Sequence, residues 1–255
     1  MCTIGSVVDR AGGRIRTFKQ CDLPVLTRFL PPSVEEGADG IWYLPFRREG
    51  AAGPWAGVNN YGVALVAADA YLDPELNNPS EPEGDALEAY EHVVARFMSA
   101  QGAAEFMAGF YEDLGAPDIV LVSDPREAFL VEYSPTWGVR VAHAEAGFLA
   151  STNHFQLLPG GITEDQDPST HARLARAVDL LGEDPSTDGV HDLLCDQAYG
   201  ATDLSICRVA ERPGGYFTQA SVLFEVDEDG RVDCAYQLNG NPRATLWVPV
   251  PDVFG

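Results

Sequence analysis

The chain has 255 residues, a formal net charge of −23 and 45% hydrophobic residues. This is enough apolar material for one large core or two small ones, and no apolar run approaches the ~18 residues that span a bilayer. Lys19 is the only lysine; so acidic a surface repels nucleic acid and anionic lipid, and neither a nucleic acid nor a membrane is expected as a partner.

The acidic residues are spread along the chain without a long block, which reads as solubility or adaptation to salt. No basic-then-apolar signal segment opens the chain, so a cytoplasmic protein is expected. The five cysteines (Cys2, Cys21, Cys195, Cys207, Cys234) are odd in number and none has CxxC spacing. That argues against a disulfide framework and a structural zinc site. The histidines show no ligand spacing, and no P-loop, GxGxxG or GxSxG is present. Neither a cofactor nor a metal is expected.

In chain order, Cys2 to Val8 reads as a strand, Arg10-Ala11-Gly12-Gly13 as a turn and Arg14 to Phe18 as the returning strand. This hairpin brings Lys19-Gln20-Cys21-Asp22 back towards Cys2, and Leu23-Pro24 ends it. Residues 24–40 are loop. Ile41 to Phe46 is a strand. Trp55 to Asp69 is strand, Asn-Asn-Tyr-Gly turn and strand, the second run apolar without alternation, as in a strand covered on both faces. Residues 72–84 form a polar loop.

Apolar spacing predicts helices over Asp85–Met98 and Ala103–Leu114. Strands follow at Ile119–Ser123, Ala128–Tyr133, Gly138–Ala142 and Phe148–Thr152. Two more helices (Ser169–Leu181, Gly189–Cys195) precede strands at Leu204–Val209, Tyr216–Val226 and Arg231–Leu238. Without a composition break or a repeat, this is one α+β domain over residues 1–255. Two mostly antiparallel sheets between helix layers bury these strands on both sides.

Cys2 carries the chemistry. Removal of Met1 would leave a thiol and a free α-amine on one residue. A free thiol titrates at about 8.5 and needs help to ionise; an α-amine, at about 7.7–8.0, serves as a base beside it. From the opening residues alone, Cys2 reads better as merely the first apolar residue of a strand.

Six stretches, in order along the chain, make the sequence resemble a known family. They are Cys2-Thr3; Lys19-Gln20-Cys21-Asp22, like a basic-Asn-x-Asp stretch; and Gly57-Val58-Asn59-Asn60-Tyr61-Gly62-Val63, like a GxNxxG(L/V) turn. Then come Ser151-Thr152-Asn153-His154-Phe155, like a TN(H/N) stretch; His171-Ala172-Arg173-Leu174-Ala175-Arg176, like an arginine helix; and Ser205-Ile206-Cys207-Arg208 with Thr218 and Asn239-Gly240-Asn241-Pro242. Together they resemble the cysteine branch of the N-terminal-nucleophile (Ntn) hydrolases. That branch holds the choloylglycine and penicillin V hydrolases and the acyl-CoA:6-aminopenicillanic acid acyltransferases, the last group fitting best.

The resemblance implies a four-layer αββα sandwich. It implies Cys2 as nucleophile, Asp22 holding the Cys2 amine and thiol, Asn153 donating to the oxyanion, and Arg173 tuning the nucleophile's charge. Lys19, Trp55, Asn59, Asp69, Tyr71, His154 and the 72–84 loop are then candidates for the substrate pocket. Core or turn roles compete for Trp55 and Asn59, and a wall or core role for His154. Gln20 departs from the pattern, where Asn is usual, and so does Asp69, where a pocket Asn is common. Arg173 could exchange roles with Arg176, one turn on.

The partner this implies is a small-molecule amide or acyl substrate, with further copies of the same chain if it assembles. Hydrolysis of a non-peptide or linear amide through a Cys2 thioester is the first reading. Transfer of the acyl group to an amine is the second, and a non-catalytic small-molecule-binding protein of the same fold is the third. A thiol redox protein using Cys2 and Cys21 is disfavoured, because the pair lacks CxxC spacing.

Overall fold

The structure is a computed structural model that describes residues 1–70, 83–111, 117–209 and 214–255. The strands are β1 (Cys2–Asp9), β2 (Arg14–Leu23), β3 (Glu35–Glu36), β4 (Trp42–Arg47), β5 (Pro54–Asn59), β6 (Ala64–Asp69), β7 (Asp118–Asp124), β8 (Glu127–Ser134), β9 (Gly138–Ala144), β10 (Gly147–Ser151), β11 (Phe217–Asp227), β12 (Val232–Leu238) and β13 (Val248–Val250). The helices are α1 (Glu83–Arg96), α2 (Ala100–Tyr111), α3 (Pro168–Glu183) and α4 (Thr187–Leu194).

The strands form two sheets, in the orders β10-β1-β2-β11-β12-β13 and β3-β4-β5-β6-β7-β8-β9. Every neighbouring pair is antiparallel. Three apolar layers follow from strand alternation. Ile4, Val222 and Phe224 of the first sheet meet Phe46, Val58, Val66 and Leu121 of the second. The outer face of the second sheet packs Leu65, Val120 and Val131 on Val93, Val94 and Met107 of α1 and α2. The outer face of the first sheet packs Val7, Phe18 and Leu223 on Ala177, Leu181, Val190 and Leu193 of α3 and α4. This is the αββα sandwich expected from the element order. No helix among the described residues is long and apolar enough to cross a membrane.

Local chemistry sets the elements near the sheet ends. Asp167 caps α3 by accepting from the Ser169 N–H, and Pro168 occupies the first turn, where its missing donor is harmless. Ser186 caps α4 through the Gly189 N–H. Between β5 and β6, Asn59 Oδ1 accepts from the Tyr61 and Val63 N–H groups, both at 3.0 Å. Gly62 takes φ 75°, and a Cβ there would lie 2.6 Å from Val226, so only glycine closes this turn.

One expected strand is absent. Leu204–Val209 is expected as a strand, but its backbone is engaged locally. Cys207 N donates to Asp196 O, Cys207 O accepts from Gln197 Nε2, and Arg208 N donates to Thr218 Oγ1. The short strands β3 and β13 carry too few residues to show a pattern.

Candidate active site

The β1–β2 hairpin sets the geometry. Cys2 lies opposite Cys21, and Thr3 opposite Gln20. Alternation sends Cys2, Ile4 and Cys21 to the layer between the sheets. Thr3 and Gln20 point the other way: Thr3 Oγ1 accepts from Arg173 of α3, and Gln20 Nε2 donates to Leu194 O at the end of α4. The thiol therefore faces one layer, while the backbone of Cys2 is handled from the other.

Two side chains hold that backbone. Cys2 N donates to Asn153 Oδ1 at 2.9 Å, and Arg173 Nη1 donates to Cys2 O at 2.6 Å. Arg173 also donates to Asn153 Oδ1 at 3.1 Å, so one oxygen couples the two. Asn153 follows the end of β10. Its own N–H is held by Thr170 Oγ1 in the first turn of α3, and its Nδ2 donates to Asp69 O at 2.7 Å. An amide nitrogen carries two N–H groups, and this bond uses one. Arg173 is fully buried, where a merely solvated helix face would leave it exposed. Burial, and then Arg208, lower its pKa to about 10, so it stays cationic at neutral pH. Arg176 instead pairs with Asp196 at 2.9 Å, outside this cluster.

The thiol of Cys2 is acidified to about 6. The largest cause is a hydrogen bond from the Cys21 thiol; burial opposes it, Lys19 and the terminal ammonium assist, and Asp69 opposes. Cys21 is raised in turn, first by the same bond and then by its own burial. Lys19 Nζ donates to Trp55 O at 3.1 Å and lies 5.3 Å from the Trp55 ring centroid, which fixes the cation in the layer that holds the thiol.

Met1 continues the hairpin. Its ammonium donates to Asp22 O at 2.8 Å, and Asp22 N donates to Met1 O at 2.9 Å. The Met1 sulfur sits against two guanidiniums, 2.7 Å from Arg208 Nη1 and 3.8 Å from Arg173 Nη2. Asp22 Oδ1 accepts from Thr218 Oγ1 at 2.7 Å, whereas the buried Oδ2 has no hydrogen-bond partner and lies 3.7 Å from Arg208 Nη1.

No family model matches the sequence. Solved structures do match. The N-acylethanolamine-hydrolysing acid amidase ortholog of Caenorhabditis elegans aligns over 87% of this chain and 92% of its own, with a TM-score of 0.60 and 13% identity. The penicillin V acylase of Agrobacterium tumefaciens aligns over 98% and 86%, with a TM-score of 0.56 and 13% identity. A mutant of the conjugated bile acid hydrolase of Clostridium perfringens aligns over 98% and 92%, with a TM-score of 0.51 and 13% identity. The chain has the Ntn-hydrolase fold.

Within that fold, Arg208 and Thr218 belong to the cluster although their sequence pattern assigned them no role. Arg208 is 2% exposed and reaches Asp22 and Met1. Its signal lies in Ser205-Ile206-Cys207-Arg208, an arginine closing an otherwise apolar and small-residue run. Trp55 is buried in the layer between the sheets, packed edge-on against Phe29 and Phe46, with its Nε1 unpartnered. Asp69 reaches Asn153 through its backbone carbonyl. Asn59 spends both ends of its amide on its own turn and on Val94 O and Phe97 O, and none of these partners touches Cys2.

His154 is held by Thr152 and Thr170 and stacks on His171 at 3.8 Å; burial first, then His171 and Arg173, lower its pKa to about 4, so it is a neutral wall. Tyr71 and the loop through residue 82 lie outside the described residues. Among the described residues, Glu127, His143 and Glu145 bring metal-ligating atoms within 4.8 Å of one another. His143 there bonds Glu127 at 2.8 Å and stacks on Phe129, which accounts for the grouping without an ion.

Proposed function

We propose that the chain is an amidohydrolase whose nucleophile is Cys2, freed by removal of Met1. The observation that carries this reading is the convergence on one residue: an acidified Cys2 thiol, with the same residue's backbone gripped by Asn153 and Arg173.

In the reaction, the Cys2 thiolate attacks the amide carbon and the carbonyl oxygen becomes an oxyanion. The N–H of Asn153 not used by Asp69 is the donor that would receive it, a role that contributes about 3–4 kcal/mol in other acyl-transfer sites. The C–N bond breaks, the α-ammonium of Cys2 protonates the departing amine, and a thioester remains. Water then attacks the thioester while the α-amine accepts its proton, releasing a carboxylic acid and restoring the Cys2 thiolate beside its α-ammonium. Asn153 Oδ1, which accepts from Cys2 N, keeps that amine beside the thiol. Arg173, on the Cys2 carbonyl, holds the residue in place.

The three structural relatives are named for cleaving, respectively, N-acylethanolamines, penicillin V and conjugated bile acids, all small acyl amides. We therefore infer a small non-peptide or linear amide as substrate. Acyl transfer to an amine shares every step up to the thioester and differs only in what attacks it.

The test is the purified protein on a panel of acyl amides, with and without an acceptor amine, read by mass spectrometry. The expected results are a chain lacking Met1, a covalent acyl adduct on Cys2, and free acid as product. Acylated acceptor in place of acid would assign transfer. A retained Met1 with no acyl adduct would leave a non-catalytic binding protein, and a Cys2→Ala variant that turns over as fast as the parent would remove Cys2 as the nucleophile.

A further inference from the structure

We infer that Cys2 and Cys21 form a paired oxidation site, at which a hydroperoxide oxidises Cys2 and Cys21 closes a cross-strand disulfide. The disulfide rests on geometry alone. Its consequence, a reversible switch on the enzyme, rests on the reading of Cys2 as nucleophile.

The hairpin register carries the argument. Met1 and Asp22 exchange both backbone hydrogen bonds, at 2.8 and 2.9 Å, so they are a hydrogen-bonded pair. The next pair along, Cys2 and Cys21, is therefore a non-hydrogen-bonded one. Consistently, Cys2 N turns away from β2 towards Asn153. In such a pair the Cα atoms stand about 4.5 Å apart with side chains on one face, within the ~4.4–6.8 Å that a disulfide spans. The Cys21 thiol is also the leading cause that lowers the Cys2 thiol's pKa.

A buried cysteine is ordinarily an inert small apolar residue; Cys207 and Cys234 fit that description, and Cys195 is half-buried. Burial is the leading cause that raises each of these thiols. Cys2 is the exception, a thiolate with a second thiol opposite it in register.

The chemistry balances in two steps. The Cys2 thiolate attacks one oxygen of the hydroperoxide and the O–O bond breaks. The sulfur is oxidised to a sulfenic acid, while the other oxygen leaves, takes a proton and becomes an alcohol, or water if the oxidant is hydrogen peroxide. The Cys21 sulfur then attacks the sulfenic sulfur. The S–S bond forms, the S–O bond breaks, and hydroxide departs with the Cys21 proton as water. A dithiol reverses the second product by exchange. Without Cys21 the sulfenic acid has no thiol partner, and a second hydroperoxide, itself reduced to alcohol or water, oxidises it to the sulfinic acid, which dithiols do not reduce. Cys2 is 4% exposed, so the smallest oxidant is the appropriate probe.

The test uses the full chain lacking Met1, treated with a small excess of hydrogen peroxide, then alkylated, digested and mapped by mass spectrometry. The wild type is expected to give one cross-linked peptide pair holding Cys2 and Cys21, lighter by two hydrogens, and dithiothreitol restores alkylatable Cys2 almost completely. Cys21→Ser and Cys21→Val, each confirmed folded by its melting transition, are expected to recover at least about tenfold less Cys2, with sulfinic acid in its place. Sulfinic acid at Cys2 in the wild type without a linked peptide, a link through Cys195, Cys207 or Cys234, or equal recovery in the Cys21 variants overturns the proposal. The linked peptide is scored without any amide substrate. A chain that forms it but cleaves no amide keeps the oxidation site and loses the hydrolase reading.

Discussion

The backbone nitrogen of Cys2 donates to Asn153 Oδ1, 151 residues away in sequence and 2.9 Å away in space. Because Arg173 donates to the same oxygen and to the Cys2 carbonyl, one buried amide and one buried guanidinium define where the first residue of β1 sits. A carboxylate at 153 would preserve both acceptor contacts and remove both N–H groups. Asn153→Asp is therefore expected to leave Met1 removal and folding intact and to lower the single-turnover acylation rate by about 10²–10³-fold, the effect of deleting one oxyanion donor. Asn153→Ala, which loses the acceptor as well, should be slower still. An Asn153→Asp enzyme as fast as the parent would assign the oxyanion donor elsewhere.

Lys19 gives a prediction in pH. The thiolate fraction of Cys2 rises with pH, with its midpoint at about 6 in the chain that carries Met1. Iodoacetamide labelling of Cys2, followed by peptide mass, should trace that curve and fall about tenfold per pH unit below it. Removing the cation in Lys19→Met makes the thiolate harder to form, so the midpoint moves up and labelling at pH 6 drops several-fold. A midpoint that stays put would mean that the Lys19 ammonium is spent on Trp55 alone.

Much of this site is legible in the order of its residues. The glycine turn at residues 10–13 and the strands around it fix a hairpin, and a hairpin of that length must return residues 19–22 to Cys2. The choice between Arg173 and Arg176 is not legible there. Both lie on one helix a turn apart, and only the packing of α3 on β1 and β10 decides which is buried. Leu204–Val209 misleads for a related reason. Its apolar and small residues mark burial, and Ser205 to Arg208 are buried in succession, but an irregular segment pinned by Asp196, Gln197 and Thr218 is buried just as well. Reading it as a strand hides Arg208, whose place beside Asp22 depends on the segment being irregular. The motif around Asn59 reports a turn closed by Asn59 and Gly62, so its likeness to other sequences there is one of backbone conformation.

Gln20 stands where the resembling sequences carry Asn, and its contacts explain the longer side chain. Its Nε2 reaches Leu194 O, Ile206 O and Thr218 Oγ1 at 3.0 to 3.2 Å, and its Oε1 accepts from Ser221 Oγ at 2.5 Å. It ties β2 to α4, to the irregular segment and to β11 in one fully buried position. An Asn there is one methylene short of these partners. Gln20→Asn is expected to destabilise the fold by about 1–3 kcal/mol through buried groups left unpaired, and Gln20→Ala by about 2–4 kcal/mol. Urea unfolding with an unchanged m-value checks both.

The second sheet carries its own titrating group. Asp118 lies opposite Asp69 in register, and Asp69 O is the acceptor that holds the Asn153 amide. Asp118 is buried and accepts from the Ile119 N–H and from the hydroxyls of Tyr90 on α1 and Tyr111 on α2. Burial outweighs these bonds, and Asp69 adds to it, raising the Asp118 carboxyl from 3.8 to about 6. Because the folded chain holds this proton more tightly than the unfolded one, the group's contribution to stability is fully present below pH 3.8 and is lost as pH rises through about 6. A shift of about two units corresponds to about 3 kcal/mol. Asp118→Asn abolishes the titration, so the stability of the wild type relative to this variant should rise by about 2 kcal/mol between pH 7 and pH 4. Denaturant midpoints for both proteins at each pH measure it. A difference that stays flat with pH would mean that the two tyrosines and the Ile119 N–H stabilise the carboxylate fully, and that burial does not govern its charge.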